Sequence, residues 1–384
     1  MSDNQNHTGN PQSGDPQSGD ILPSGAVVNP GTTGAKPEGR HPISRRGFIA
    51  GLGASAAVGL IVGGGVGGLI GHGLGQKSGA ATASKNRPLS LIYGADVCDA
   101  PAIVAKEKGF FDKAGLDVQL HKSVGDEDLK AAVGSGTYDA AGGIFYSWLK
   151  PIEQGQNAKF VAGLHGGCLR LVVPSDSAIT DPAQLRGKTI GIGGLQTSAA
   201  MFFSMDLLDA GINPLAEAKE VTWKVMDKSL LSDALKNHTV DAIATSDPIA
   251  YRPLQEGNGR ELASNMSGAN AQDYCCCAAL NGDLVSKEPD LARRLVEAWA
   301  EGSRYVGGHE AEVAQIEVEK NYVAGDVATI EQLLKQYTWQ PSVSKLKNAL
   351  LPGIEKFKKT GYLEDDVDAQ ALADKALATL GLDW

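Results

Sequence analysis

One block of this chain occurs twice. Leu129-Lys-Ala-Ala-Val133, followed by Thr137-Tyr138-Asp139-Ala140, returns about a hundred residues later as Leu231-Ser-Asp-Ala-Leu235, followed by Thr239-Val240-Asp241-Ala242. Each copy reads as a helix, a turn and a strand that opens on Thr-x-Asp-Ala. Each strand then runs into a polar or glycine-rich end, Gly142-Gly143 in the first copy and Ser246-Asp247-Pro248 in the second. Such a repeat constrains the chain to build one half-domain twice, and 384 residues are enough to give each half its own core.

The segments around the repeat have the order of an α/β protein. Pro88–Tyr93 is a short apolar run that stops at Gly94, as a buried strand would. Residues 101–108 predict a helix with Pro at its first turn and Gly109 at its stop, and 116–120 alternate like a second strand. Strand, helix and strand with short joints predict a parallel sheet. Lys188–Gly194 followed by a helix over 197–210 is a further unit of this kind, closed by Gly211. Beyond about residue 286 strand signals stop, and helices are predicted at roughly 289–306, 309–323, 326–338, 343–359 and 366–380.

The N-terminal part differs. Residues 1–44 are rich in Gly, Pro, Ser, Asn, Gln and Thr, with a repeated Pro-Gln-Ser-Gly-Asp, a composition expected to be disordered. From Gly47 to Gln76 there is no charged residue, and Ser44-Arg45-Arg46-Gly47-Phe48-Ile49 stands immediately before or at the start of that stretch. This pattern over 45–83 resembles a twin-arginine export signal, with Ala81-Thr82-Ala83 as a small-x-small cleavage site. An uncleaved anchor of the same orientation is the alternative. Either one places the body outside the cytoplasmic membrane, in a periplasm or on the membrane's outer face, with the twin-arginine translocase as a partner. The net charge of −10 argues against a nucleic-acid partner.

The block Ala105-Lys-Glu-Lys-Gly-Phe-Phe-Asp-Lys-Ala-Gly-Leu-Asp-Val118 resembles the periplasmic solute-binding proteins of the nitrate/sulfonate/taurine ABC-importer family, whose superfamily includes thiamine-pyrimidine binding proteins and synthases. Further matches are Ser135-Gly136-x-x-Asp139-Ala140, Asp181-x-x-Gln184-Leu185-x-Gly187-Lys188-x-Ile190-Gly191, and Asp241-Ala242 with Asp247-Pro248. The resemblance implies a two-lobe, type II-like periplasmic binding protein with parallel or mixed sheets flanked by helices and two interlobe crossovers. Lobe one would comprise 84–174 plus 276–384, and lobe two 175–275. A small polar solute of the sulfonate, taurine or nitrate type would be held between them and passed to an ABC permease driven by its ATPase. A thiamine-pyrimidine-like precursor is the alternative solute.

In such sheets ligands sit beyond the carboxyl ends of the strands, at helix N-termini. Gly193, Gly194, Gln196, Thr197 and Ser198 occupy such a place, where glycines admit close approach and hydroxyls and amides favour an anion. Thr197 capping its own helix is the competing reading. Asp96, Cys98, Gly142, Gly143, Tyr146, His165 and Asp247 are expected at the other strand ends, with a turn or cap carboxylate as the alternative for Asp247, a core or loop histidine for His165 and a packed ring for Tyr146. Asp96 and Asp99 sit awkwardly beside a bound anion and suit an amine, a zwitterion or an aminopyrimidine better.

Cys275-Cys276-Cys277 reads as a buried crossover strand, with Cys275 and Cys277 on one face and Cys276 on the other. The alternatives are a disulfide among the five cysteines, or a soft-metal site that also draws on Cys98, Cys168 and His165. The run resembles one in the pyrimidine-synthase branch, but there Phe-Gly follows and here Ala278-Ala279. No phosphate-loop, dinucleotide or nucleophile-elbow motif is present, so a non-enzymatic receptor without a cofactor is expected. A metal-dependent, pyrimidine-synthase-like enzyme is the rival.

Overall fold

The computed structural model describes residues 87–124, 128–267 and 275–384, all within one compact unit, Gly79–Trp384. The leader and export signal expected over 1–83 lie outside the described residues. Among the described residues, ten strands form two five-stranded mixed sheets. The first contains β1 (Leu89–Tyr93), β2 (Val118–Lys122), β3 (Ala140–Gly143), β4 (Ala158–His165) and β10 (Cys276–Asn281), in the order β2-β1-β3-β10-β4. The second contains β5 (Leu169–Pro174), β6 (Thr189–Ile192), β7 (Thr222–Val225), β8 (Ala242–Ser246) and β9 (Gly259–Ser264), in the order β7-β6-β8-β5-β9. In the first, β1 is parallel to β2 and β3, while β10 runs antiparallel to β3 and β4. The second repeats this pattern, with β6 as the parallel centre and β5 as the antiparallel strand.

The repeated Thr-x-Asp-Ala block has the same structural role in both lobes. The carboxylate of Asp139 accepts the backbone N–H of Ser90, at the start of β1, at 2.7 Å, and that of Asp241 accepts Thr189, at the start of β6, at 2.8 Å. Each aspartate also pairs with a cation preceding the clamped strand, Asp139 with Arg87 at 2.7 Å and Asp241 with Lys188 at 3.5 Å. The aspartate thus fixes where the parallel strands begin relative to one another.

The chain crosses between sheets at 165–169 and again between β9 and β10. β5 belongs to the second sheet, so the first crossing falls earlier than the boundary expected after residue 174. The reason is pairing: Leu169–Pro174 is buried along its whole length between β8 and β9. The first crossing turns sharply through Gly167 and Cys168, with φ of +99° and +108°. A side chain at Gly167 would meet the Tyr337 ring at 2.9 Å, so glycine is required there, whereas Cys168 holds a left-handed conformation that disfavours L side chains.

The predicted C-terminal helices are Pro289–Val306, Glu310–Glu319, Val327–Leu334, Val343–Lys358 and Ala369–Ala376. The first buries Leu291, Leu295, Val296, Ala298 and Trp299 on one face. It lies so close to Ala100–Glu107 that a Cβ at Gly302 would collide with the Pro101 carbonyl. The helix Val327–Leu334 and the turn after it reach the second lobe: Thr329 accepts from Gln255, Gln332 donates to Tyr251, and Gln336 accepts from Arg170. No helix among the described residues is long and apolar enough to cross a membrane.

Candidate ligand-binding cleft

The two lobes meet at the carboxyl ends of their parallel strands. After β1 the chain passes through Gly94 and Ala95 into a tight turn, Val97–Asp99, that opens the helix Ala100–Glu107. The turn is closed on itself, since Asp99 accepts the Asp96 N–H at 2.9 Å and the Asp99 N–H returns to the Asp96 carbonyl at 3.0 Å. The free end of Asp96 points across the cleft and forms an ion pair with Lys228, in the turn that follows β7. Asp227 shapes that turn by accepting the Ser229 N–H and hydroxyl at 2.8 and 2.6 Å.

A second contact spans the cleft where Lys130, on the helix Leu129–Gly134, reaches the Gln196 carbonyl at 3.5 Å. Gly193 and Gly194 are partly or fully exposed after β6, and Gln196 is exposed. Thr197 is the N-cap of the helix Ser198–Asp209: its hydroxyl accepts the Ala200 N–H at 3.4 Å and donates to the Gly194 carbonyl at 2.9 Å. Ser198 opens the first turn, half-buried. The loop therefore has the capping geometry that the sequence left as one of two readings, and it lies at the cleft.

Asp96 and Asp99 are not two free carboxylates. Asp96 is paired with Lys228. Burial first, then the neighbouring charge of Asp96, pushes the Asp99 carboxyl up to about 7. The repulsion that this strand end would exert on an anion is reduced accordingly.

Other candidates are placed differently. Gly142 and Gly143 end β3 beside Ala278 and Cys277, and a Cβ on Gly143 would stand 2.9 Å from the Trp148 indole nitrogen. Those glycines admit packing from behind the sheet. Tyr146 is only 2% exposed, with its ring 4.1 Å from that of Phe145 and 5.4 Å from that of Phe357. It belongs to the aromatic core beneath the helix Val343–Lys358. Asp247 is fully buried and accepts from Arg170 Nε at 2.9 and 3.1 Å and from the Tyr337 hydroxyl at 2.7 Å. Burial raises its pKa, and Arg170 and Tyr337 oppose that rise. With Glu261 and Gln336 completing the Arg170 guanidinium, this aspartate is a member of a buried polar joint between lobe two and the C-terminal helices.

The thiols converge. Cys98, Cys168, Cys275 and Cys276 are all buried and unbridged, as is Cys277. Cys168, on the first crossing, has its sulfur 2.8 Å from that of Cys275, on the second. Burial raises Cys168, whereas at Cys275 the contacts with Cys168 and Cys276 overcome burial and draw the thiol down to about 7. His165, at the end of β4, is fully buried between the rings of Tyr337 and Trp339, 6.1 and 4.9 Å away.

Sequence reasoning passed over Lys130, Lys228, Arg170 and Glu317. Arg170 and Glu317 carried a readable signal. A charge inside the apolar run Leu169–Val173 requires a buried partner, and Glu317 shares a helical face with Val313 and Ala314. The two lysines lie in ordinary polar turns, and only the approach of the lobes singles them out.

Comparison with known proteins agrees with this architecture. The chain is 26% identical over 339 residues to the bicarbonate-binding protein CmpA of Synechococcus elongatus, an alignment covering 77% of this chain and 72% of that one. Among solved structures it resembles the alkanesulfonate-binding protein SsuA of Xanthomonas axonopodis pv. citri bound to MOPS, with a TM-score of 0.64 at 18% identity, covering 77% of this chain and 99% of that one. The periplasmic nitrate-binding protein NrtA of Synechocystis PCC 6803 gives a TM-score of 0.62 at 17% identity, covering 76% and 86%. An enzyme shares the fold too: the desulfurization enzyme DSZB matches with a TM-score of 0.51 at 17% identity, covering 76% and 97%. The family model described as NMT1/THI5 like matches residues 99–313, more than half of the sequence, and the chain belongs to that family.

Proposed function

We propose that this chain is the solute-binding component of an ABC importer and that it holds a small oxyanion of the carbonate, nitrate or sulfonate class between its lobes. The observation that carries this reading is the pair of lysines brought to one cleft from opposite lobes. Lys130 comes from lobe one and Lys228 from lobe two, and both lie beside the loop Gly193–Thr197 and the helix start at Ser198. A helix N-terminus offers free N–H groups and a favourable dipole to such a ligand. CmpA is a bicarbonate-binding protein, and NrtA and SsuA are nitrate- and alkanesulfonate-binding, so the relatives agree on ligands of this size and charge.

In this proposal the lobes close on the solute and the closed form docks on a membrane permease powered by a cytoplasmic ATPase. Residues 1–83 supply export through the twin-arginine translocase, and the body acts in a periplasm or on the outer face of the cytoplasmic membrane. The chain binds its solute without transforming it.

Calorimetry and thermal melting of the full chain with bicarbonate, nitrate, methanesulfonate, taurine and an aminopyrimidine test the reading. One of the anions saturates the protein at one equivalent and raises its melting temperature, and Thr197→Val with Ser198→Ala removes that rise while the ligand-free protein still folds. Stabilisation by the aminopyrimidine alone, or turnover of any of these compounds, would reject it.

A further inference from the structure

We propose that Cys98, His165 and Cys276 form a binding site for a thiophilic d10 cation, Cu(I) or Zn(II), at the base of the cleft. One donor atom from each residue lies within 4.8 Å of the other two, a spread that coordination would tighten. The three come from separate elements: the turn Val97–Asp99, the last residue of β4 and the first residue of β10. Cys276 sits directly opposite His165 in the β10–β4 ladder, so their side chains share one face of the sheet, and the turn brings Cys98 down onto that face. This site is independent of which solute the cleft holds.

The histidine carries the argument. His165 is 0% exposed, neither ring nitrogen has an oxygen or nitrogen partner, and the one polar group that contacts the ring is the Cys98 thiol. A buried imidazole whose one polar neighbour is a thiol is poorly satisfied, and such groups in native proteins call for an explanation. Its surroundings are two aromatic rings and thiols, which offer it little hydrogen bonding but suit a soft cation. Glu317 repeats the observation nearby. It is fully buried and both of its carboxylate oxygens lack partners. A pocket lined by unmet donors of electron pairs has room in its chemistry for a positive ion.

The donor set is not the consecutive cysteine run that the sequence singles out. Successive strand residues face opposite ways, so Cys276 turns toward His165 and Cys277 away from it. Cys277 pairs instead with Gly143 and Gly163 in the interior of the sheet. Two thiolates and one imidazole make a trigonal set, which suits Cu(I) as it stands. Zn(II) takes a fourth ligand, and Cys168, whose thiol contacts that of Cys98, is placed to supply it. Binding displaces the protons of the coordinating thiols into solvent and involves no change of oxidation state at sulfur.

The test uses the full chain, purified with reductant under anaerobic conditions and freed of metal with a chelator. Cu(I) as its acetonitrile complex and Zn(II) are then titrated against chromophoric competitors. One equivalent of either ion bound by the wild-type chain is expected. His165→Ala and Cys276→Ser each weaken binding roughly 100-fold or more, and Cys277→Ser changes it less than about threefold. Cys168→Ser separates the two ions, since it weakens Zn(II) alone. Failure of both ions to bind the wild type at one equivalent overturns the proposal, as does wild-type affinity in folded His165→Ala or Cys276→Ser. If those variants do not fold, Co(II) in the wild-type chain answers the question: thiolate-to-cobalt charge-transfer absorption supports the site, and its absence overturns it.

Discussion

The two lobes share a plan and differ in what they place at the ends of their strands. In lobe one, β1, β3, β4 and β10 converge on buried, soft or apolar groups: Cys98, His165 and Cys276, with Trp148 and Trp299 backing Gly143 and Gly142. In lobe two, β6 and β7 end in Gly193, Gly194, Thr197 and Lys228, which are half-buried or exposed and polar. The same topology thus yields one closed floor and one open, hydrogen-bonding wall. Repetition of a fold constrains where strand ends lie but leaves their chemistry free, which is how two copies of one half-domain divide the work of a cleft.

Several substitutions break or sharpen this contrast. The largest effect is expected at the joint between the lobes. Arg170→Met leaves Asp247 buried without its cation and is expected to cost about 3–5 kcal/mol in urea unfolding. A loss below about 1 kcal/mol would show that the joint is not what holds lobe two to the C-terminal helices. Next come the glycines. Gly143→Ala drives a methyl toward Trp148 and is expected to cost about 1–3 kcal/mol. Gly194→Ala meets only the Thr197 methyl at 3.4 Å and is expected to stay within about 0.5 kcal/mol, so equal losses would erase the distinction between floor and wall.

The strand clamps give a smaller difference. Asp139 is 14% exposed and accepts from Ser90 and Arg87 with both oxygens, whereas Asp241 is 38% exposed. Asp139→Ala is therefore expected to lose about 1–3 kcal/mol and Asp241→Ala distinctly less, as chemical denaturation of the two variants would read. The last contrast is negligible at low pH. Burial raises the Glu317 carboxyl well above its ordinary 4.5, so the folded chain keeps a proton that the unfolded chain releases near that pH. Stability from this group accordingly falls as pH rises above about 4.5. Glu317→Gln removes that slope, and unfolding curves at pH 5 and pH 8 that shift in parallel with wild type would contradict it.

Much of the architecture was legible because it is written in local periodicity. The five C-terminal helices begin and end within a few residues of their expected bounds, and the Thr-x-Asp-Ala echo marked two matching sheets before any pairing was known. What escaped was decided across the chain. Asp247 read equally as a ligand or a turn carboxylate, and its role in a buried joint escaped because its partner Arg170 lies 77 positions earlier, on a strand whose membership in the second sheet depends on β8 and β9. Whether Tyr146 packs or faces a ligand stayed open because nothing nearby in sequence announces that Phe357 will cover it. Alternation within the cysteine run was legible, but that it sets Cys276 opposite His165, more than a hundred residues away, was not.

The central antiparallel strand enters the two sheets at opposite moments. In lobe two it is β5, the first strand of that lobe to appear along the chain, and everything it needs follows without interruption by residue 264. In lobe one it is β10, wedged between β3 and β4 but separated from them by the whole of the other lobe. A ribosome emitting this protein from its N-terminus therefore delivers a half that can finish folding while the earlier half still waits with a gap in its middle. The first lobe to be translated is the last to be completed.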